Sequence, residues 1–226
     1  MNFNDSTSNN TGKGEEIYKK SIAIIDSLLK DNRYFSETYS EAEKSVVKRV
    51  IHATSDIRYA ETVFFTNDSA KKGIELIREK AFRKEPLKIV CDSEMTKAGI
   101  SRNINKNILL DLNCYIGANY KTDDSDVTKS ALSIRAAISQ ILPNIIVIGN
   151  APTALIETMD LCKRLYETTD YKPSLIVAMP VGLVGAAESK TILHEDNFYS
   201  SIGNFGNIGG SSSAASAINA LLREGL

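Results

Sequence analysis

The chain has 226 residues, 42% of them apolar, enough for one sizeable α/β domain with a real core. Its 27 basic and 28 acidic side chains nearly cancel, which excludes a general nucleic-acid binder and requires any anionic ligand to meet a local cationic cluster. The three cysteines, Cys91, Cys114 and Cys162, are widely spaced with no C-x-x-C pair, so they point to neither a disulfide framework nor a zinc site and fit a reducing cytoplasm.

The opening MNFNDSTSNNTGKG is polar and lacks the basic start and apolar run of a secretory signal. It reads as a disordered tail over residues 1–14, ahead of a single domain at 15–226. No apolar stretch approaches the length of a membrane span, and a cytoplasmic protein is expected. From Glu15 to Lys30 the residues Ile17, Ile22, Ile24, Ile25, Leu28 and Leu29 recur at helical spacing. A second helix opens at Ser40, where Glu43 three residues on completes a capping box, and it carries Val46, Val47, Val50 and Ile51 towards the core. Ser45, Lys48, Arg49 and His52 then fall on another face. A third helix spans about Asp68 to Arg83.

From Pro86 onwards, short β-branched runs alternate with helical segments. Strands are predicted at Lys88–Cys91, Ile145–Ile148, Leu175–Ala178 and Phe198–Ile202, with Ile108–Gly117 as a further candidate. Helices fall near Ser93–Ala98, Thr128–Leu142, Pro152–Tyr166, Ala186–Leu193 and Ser211–Leu222. This alternation predicts a three-layer α/β/α fold with a mostly parallel sheet, onto which the additional N-terminal helices also pack. Ligands in such folds bind beyond the carboxyl ends of the strands, near a switch in strand order. The loops there, CDSEM, GNAPTA, MPVGLVGAAES and GNFGNIGGSSS, are expected to share one rim.

Candidate chemistry centres on His52, whose imidazole can exchange a proton near neutral pH. Arg49 lies one helical turn before it on the same face, an anion contact beside a proton donor. Each has a plainer reading: His52 as a hydrogen-bonded helix-surface residue, Arg49 as a solvated charge pairing with Glu41 or Glu43. His194, in LHEDN, reads as solvent exposed. Two histidines without H-E-x-x-H spacing give no ground for a protein-bound metal, and no cofactor is implied. The turn Asn150–Thr153, with Pro152 suited to the first helical position, offers amides to a carboxylate or phosphate, or is simply a tight turn. Neither a P-loop nor G-x-G-x-x-G follows a predicted strand, and no serine sits in G-x-S-x-G. Asp92 and Asp56 make an acid pair only if the fold joins them.

Seven motifs occur in one order: IY-x-x-S at Ile17–Ser21, R-V-I-H-A at Arg49–Ala53, C-D-x-E-M at Cys91–Met95, A-G-I-x-R at Ala98–Arg102, GNAPTAL at Gly149–Leu155, PVGLVGAAESK at Pro180–Lys190 and GGS at Gly209–Ser211. Together they resemble the precorrin-8X methylmutase family, from about Ile17 to Leu226. The resemblance implies a flavodoxin-like α/β/α fold and a homodimer with substrate at or near the subunit interface. It implies an isomerase of cobalamin (vitamin B12) biosynthesis that moves a methyl group from carbon 11 to carbon 12 of a tetrapyrrole. Precorrin-8X would give hydrogenobyrinate, and the cobalt form cobyrinate. It further implies His52 as general acid or hydrogen-bond donor to ring C, with Ser21, Arg49, Ser101, Arg102, Lys129, Asn150, Pro152 and Thr153 as substrate-binding residues.

That role has an independent rationale, since a methyl shift redistributes electron density around a conjugated ring and a proton donor at its edge stabilises the rearranging π system. Arg49 should disfavour the imidazolium. Two departures from the family pattern stand out. Thr128, Lys129, Ser130 replace T-R-S, which keeps a charge but loses the two-pronged geometry, and Phe205, Gly206, Asn207 replace R-G-R. Arg135 compensates only if it faces the site. These departures favour the alternative of a non-catalytic corrinoid carrier. A flavodoxin-like module binding a phosphorylated ligand at Asn150–Thr153 is a third reading.

Overall fold

The computed structural model describes residues 8–118 and 127–226. In chain order the elements are α1 (Ser8–Leu29), α2 (Arg33–Thr38), α3 (Glu41–Thr54), α4 (Tyr59–Thr62), β1 (Val63–Phe65), α5 (Ser69–Arg83), β2 (Pro86–Cys91), α6 (Glu94–Gly99), β3 (Leu109–Asn113), α7 (Lys129–Ile141), β4 (Ile145–Ile148), α8 (Pro152–Thr169), β5 (Leu175–Ala178), α9 (Ala186–Glu195), β6 (Ser201–Asn204) and α10 (Ser211–Glu224). The first helix begins at Ser8 rather than near Glu15, so half of the expected tail is helical, while residues 1–7 lie outside the described residues.

The strands form one sheet in the order β1-β6-β5-β4-β2-β3, parallel except for β1. The chain leaves β2 towards β3, returns to β4 on the other side of β2 and continues to β5 and β6. The strand order therefore switches between β2 and β4. Side chains alternate across a strand, and both rows of the central strands are apolar. Ile89, Ile145, Val147, Leu175 and Val177 enter one core, while Val90, Ile146, Ile148, Ile176 and Ala178 enter the other. Helices α7, α8 and α9 cover the second face. On the first lie α5 and α10.

Helix α10 is buried from Ser213 to Leu222, because it is covered on one side by the sheet and on the other by α3. Its alanines, Ala214, Ala215, Ala217 and Ala220, allow that double approach. The N-terminal helices thus add a further layer: α3 packs chiefly on α10 rather than on the sheet, and α1 packs on α3. The capping box that opens α3 is present, with the Ser40 amide and hydroxyl each donating to Glu43 Oε2 at 2.8 Å.

Two boundaries differ from expectation. Strand β6 starts at Ser201, because Phe198 and Tyr199 are drawn into the helical layer: Phe198 meets Tyr166 edge-on, and Tyr199 donates its hydroxyl to the Met159 carbonyl. The three-residue β1 was too short to announce itself in the pattern, yet it closes the sheet edge antiparallel to β6, with Phe64 opposite Gly203. A Cβ on Gly203 would strike the Phe64 ring and come within 2.9 Å of the Ala178 carbonyl oxygen. Gly203→Ala should therefore lower unfolding stability in urea by about 1–3 kcal/mol, the usual cost of overpacking, with an unchanged m-value.

Candidate active site

The four loops beyond the carboxyl ends of β2, β4, β5 and β6 do share one rim, and a single carboxylate organises it. Asp92 follows β2 at the switch in strand order, and it is buried. Its Oδ1 accepts from the Gly149 amide at 3.0 Å, and its Oδ2 accepts from Asn150 and Ala151 at 2.8 Å each. Ser93, Thr96 and Ser211 interlock through their hydroxyls beside it, at 2.8–3.2 Å, tying the start of α10 to α6. Gly210 donates to the Met179 carbonyl at 2.8 Å, and Gly182 to that of Asn207 at 3.2 Å. Burial pushes the Asp92 carboxyl above its ordinary range, and the three amide bonds draw it partly back.

This arrangement corrects two expectations. The Gly149, Asn150 and Ala151 amides of the GNAPTA turn are spent on Asp92 rather than offered to a ligand. Asp56 is gripped by Arg58, at 2.7–3.1 Å, so it forms no acid pair with Asp92.

The open chemistry lies elsewhere, between α1 and α3. His52 sits in the last turn of α3, which Ser55 closes in the left-handed conformation, its amide donating to the Ile51 carbonyl. The face of α3 opposite its core residues is covered by α1: Lys48 pairs with Asp26, Arg49 meets Tyr18, and His52 Nδ1 lies 2.7 Å from Ser21 Oγ. Arg49 does not pair with Glu41 or Glu43, which are held by Lys44 and Ser40. The half-buried imidazole lies on the wall of two adjoining concavities. One, of about 390 Å³, is apolar and lined by Ser21, Ile24, Leu28 and Ile57 among others; the second, of about 420 Å³, is lined by Tyr18, Arg49 and Arg223. Burial lowers the affinity of His52 for a proton, and the neighbouring Arg49 charge lowers it further. The expected effect of Arg49 is present, but desolvation leads it.

The remaining predicted residues fall into two other places. Pro152 and Thr153 border a concavity of about 360 Å³ with Gly185 and Glu188, where Thr153 Oγ1 lies 2.8 Å from Thr128 Oγ1 and the exposed Lys129 follows. The Asn150 side chain is exposed at the same rim. Ser101 and Arg102 line a concavity of about 390 Å³ with Lys97 and Leu112, where Ser101 donates its amide to Asn219 and Arg102 a guanidinium N–H to the Leu110 carbonyl. Arg135 is forked onto Glu157 at 2.8 and 2.9 Å. Within one chain, then, Ser21 and Arg49 are the predicted binding residues that meet His52.

Several residues were missed. Tyr18 and Arg223 join the His52 cluster, and Arg223 gave no signal because its partner is near the other end of the chain. Lys190 is buried and donates to the Ile208 carbonyl at 2.7 Å, bracing the loop before Gly209 while burial pulls its ammonium down to about 8. His194 is only partly exposed: its ring packs against Phe64 and Phe205, both centroids 4.9 Å away. Phe205 therefore turns into an aromatic cluster at the sheet edge.

Two measurements check this geometry. Asp92→Asn can accept through only one oxygen and leaves buried amides unpaired, so it should cost about 3 kcal/mol in urea unfolding. In a proton NMR titration, with His194→Gln to assign the pair, the His52 ring should titrate below its ordinary 6.5, and Arg49→Gln should move it upwards. The sign follows from linkage: the folded protein holds this proton less tightly than the unfolded chain, so the associated stability is complete above pH 6.5 and declines as pH falls through the lowered midpoint.

Comparison with known proteins agrees with this architecture. Residues 16–224 match the family described as Precorrin-8X methylmutase. A cobalt-precorrin-8 methylmutase of Methanocaldococcus jannaschii is 36% identical over 92% of this chain and 93% of its own, and one of Leptospira interrogans is 34% identical over 94% of each. The solved structure of a precorrin-8X methylmutase from Thermus thermophilus superposes with a TM-score of 0.73 at 25% identity, covering 92% of this chain and 96% of that one. The chain belongs to the precorrin-8X methylmutase family, isomerases of cobalamin biosynthesis.

Proposed function

We propose that this protein moves the methyl group of precorrin-8X, or of its cobalt form, from carbon 11 to carbon 12, with His52 as the hydrogen-bond donor to ring C. The observation that carries this reading is the His52–Ser21 pair opening onto two concavities beside Arg49, which has no carboxylate partner among the described residues. In this reading the Ser21 hydroxyl donates to Nδ1, 2.7 Å away, which puts the ring proton on Nε2, free to meet a ligand. The lowered proton affinity keeps the ring neutral near pH 7, so it donates without carrying a charge of its own. The carbon 11 bond breaks as the carbon 12 bond forms, and no proton is gained or lost overall. His52 acts by stabilising the shifting electron density.

A second copy of the chain completes the site in this reading. Each concavity lies at the low end of the roughly 300–1,000 Å³ that ligand pockets span, small for a tetrapyrrole with its carboxylate arms. Ile17, Ile24 and Leu28 form an exposed apolar stripe on α1 beside His52, and Leu183 and Val184, each 87% exposed, crown the loop beyond β5. Apolar surface of this kind marks an interface. A two-fold dimer that seats one patch against the other brings Thr153, Asn150 and Lys129 of one copy towards His52 of its partner, which accounts for their separation within one chain. A cytoplasmic setting fits the reaction, and among the described residues no helix is long and apolar enough to cross a membrane.

The carrier alternative rests on Phe205 and Asn207, but Phe205 is engaged with Phe64 and His194 and leaves the His52 cluster intact. The phosphate-binding reading is weakened, because Asp92 takes the Asn150 and Ala151 amides of that turn. Incubation with precorrin-8X, followed by absorption spectroscopy, decides between them: wild type should convert it and His52→Ala should bind the product without turnover. Conversion by His52→Ala at the wild-type rate refutes the assignment, and product binding without conversion by wild type establishes the carrier. Ile24→Asp should give a monomer in sedimentation with turnover reduced at least tenfold.

A further inference from the structure

We propose that Arg223, at the end of α10, acts with Arg49, both resting against the Tyr18 ring, as a clamp for one peripheral carboxylate of the tetrapyrrole. This inference rests on the function proposed above. The two guanidinium groups lie 4.9 and 4.6 Å from the centroid of the Tyr18 ring, contributed by α3 and α10 respectively. A cation held against a ring by its π electrons keeps its N–H donors for an anion, and a guanidinium fork suits a two-oxygen acceptor.

Among the described residues neither guanidinium makes a hydrogen bond to a carboxylate. Arg49 has no carboxylate partner among the described residues, and its buried Nε has no acceptor. The Arg223 guanidinium reaches Glu15 only at 3.7 Å, beyond hydrogen-bond length, so that ion pair is loose and displaceable. Among the described residues Glu15 is also the single acidic one on the wall of this concavity, which leaves two cations against one anion there. Two like charges on one small ring repel until an anion settles between them. His52 borders the same concavity, so a carboxylate held there anchors the macrocycle beside the donor. Arg223 is thus a substrate-binding residue, and Tyr18 positions both arginines.

The test uses the full-length protein, with product affinity measured by absorption titration and turnover measured on precorrin-8X. Arg223→Gln should raise Kd and KM at least tenfold while kcat stays within twofold, and Arg223→Lys, which keeps the charge but loses the fork, should fall between. Product with its carboxylates converted singly to carboxamides supplies the other half of a cycle. One of these amides should weaken wild type by the same factor as Arg223→Gln and should weaken Arg223→Gln no further, an outcome that mere loss of packing would not give. Unchanged affinity in Arg223→Gln, or amide penalties equal in both proteins, overturns the clamp while leaving the proposed function in place. Wild type that binds no tetrapyrrole overturns both.

Discussion

The buried carboxylate of Asp92 is the constraint on which this molecule turns. It stands at the point where strand order reverses, where an open sheet would otherwise present a crevice, and three amides of the GNAPTA turn converge on it. A charge in so dry a place survives only with such partners. The same contacts fix the starts of α8, α6 and α10 relative to one another through Thr96, Ser93 and Ser211. With those amides occupied from within, His52 stands away from the switch point, among the helices.

That displacement explains why a fourth layer exists. Helix α10 occupies the place beside the sheet, and its small side chains let α3 pack on its far side, so the end of α3 is carried up towards the rim. Tyr59 at the following turn reaches Ser213 at 2.8 Å, which locks this end of α3 to the start of α10. Helix α1 then covers α3 and delivers Ser21 and Tyr18 to His52. The imidazole is half-buried by this packing, and half-burial is what lowers its proton affinity while leaving an edge open. Layering and electrostatics are one device here.

Much of the fold was legible along the chain. The apolar runs of β4 and β5 and the capping box at Ser40 state local preferences that tertiary contacts reinforce, and their boundaries agree with the structure. Where sequence reading erred, a distant partner had overridden a local pattern. Phe198 and Tyr199 look like strand residues, yet they leave the sheet to meet Tyr166 and Met159. His194, flanked by charges, is claimed by two phenylalanines from other elements. The polar start of α1 carried no periodic signal, so its first turns were assigned to a tail.

By itself the sequence determined the alternation of strands and helices, the family, and the face that Arg49 shares with His52, because these depend on spacing within one element and on motifs in fixed order. Tertiary structure alone decided that Asp92 would consume the Gly149, Asn150 and Ala151 amides, that Ser21 would partner His52, and that Arg223 and Arg49 would both rest against the Tyr18 ring. Each of those outcomes requires groups from separate elements to meet within a few ångströms, and only the packing of whole layers fixes distances of that kind.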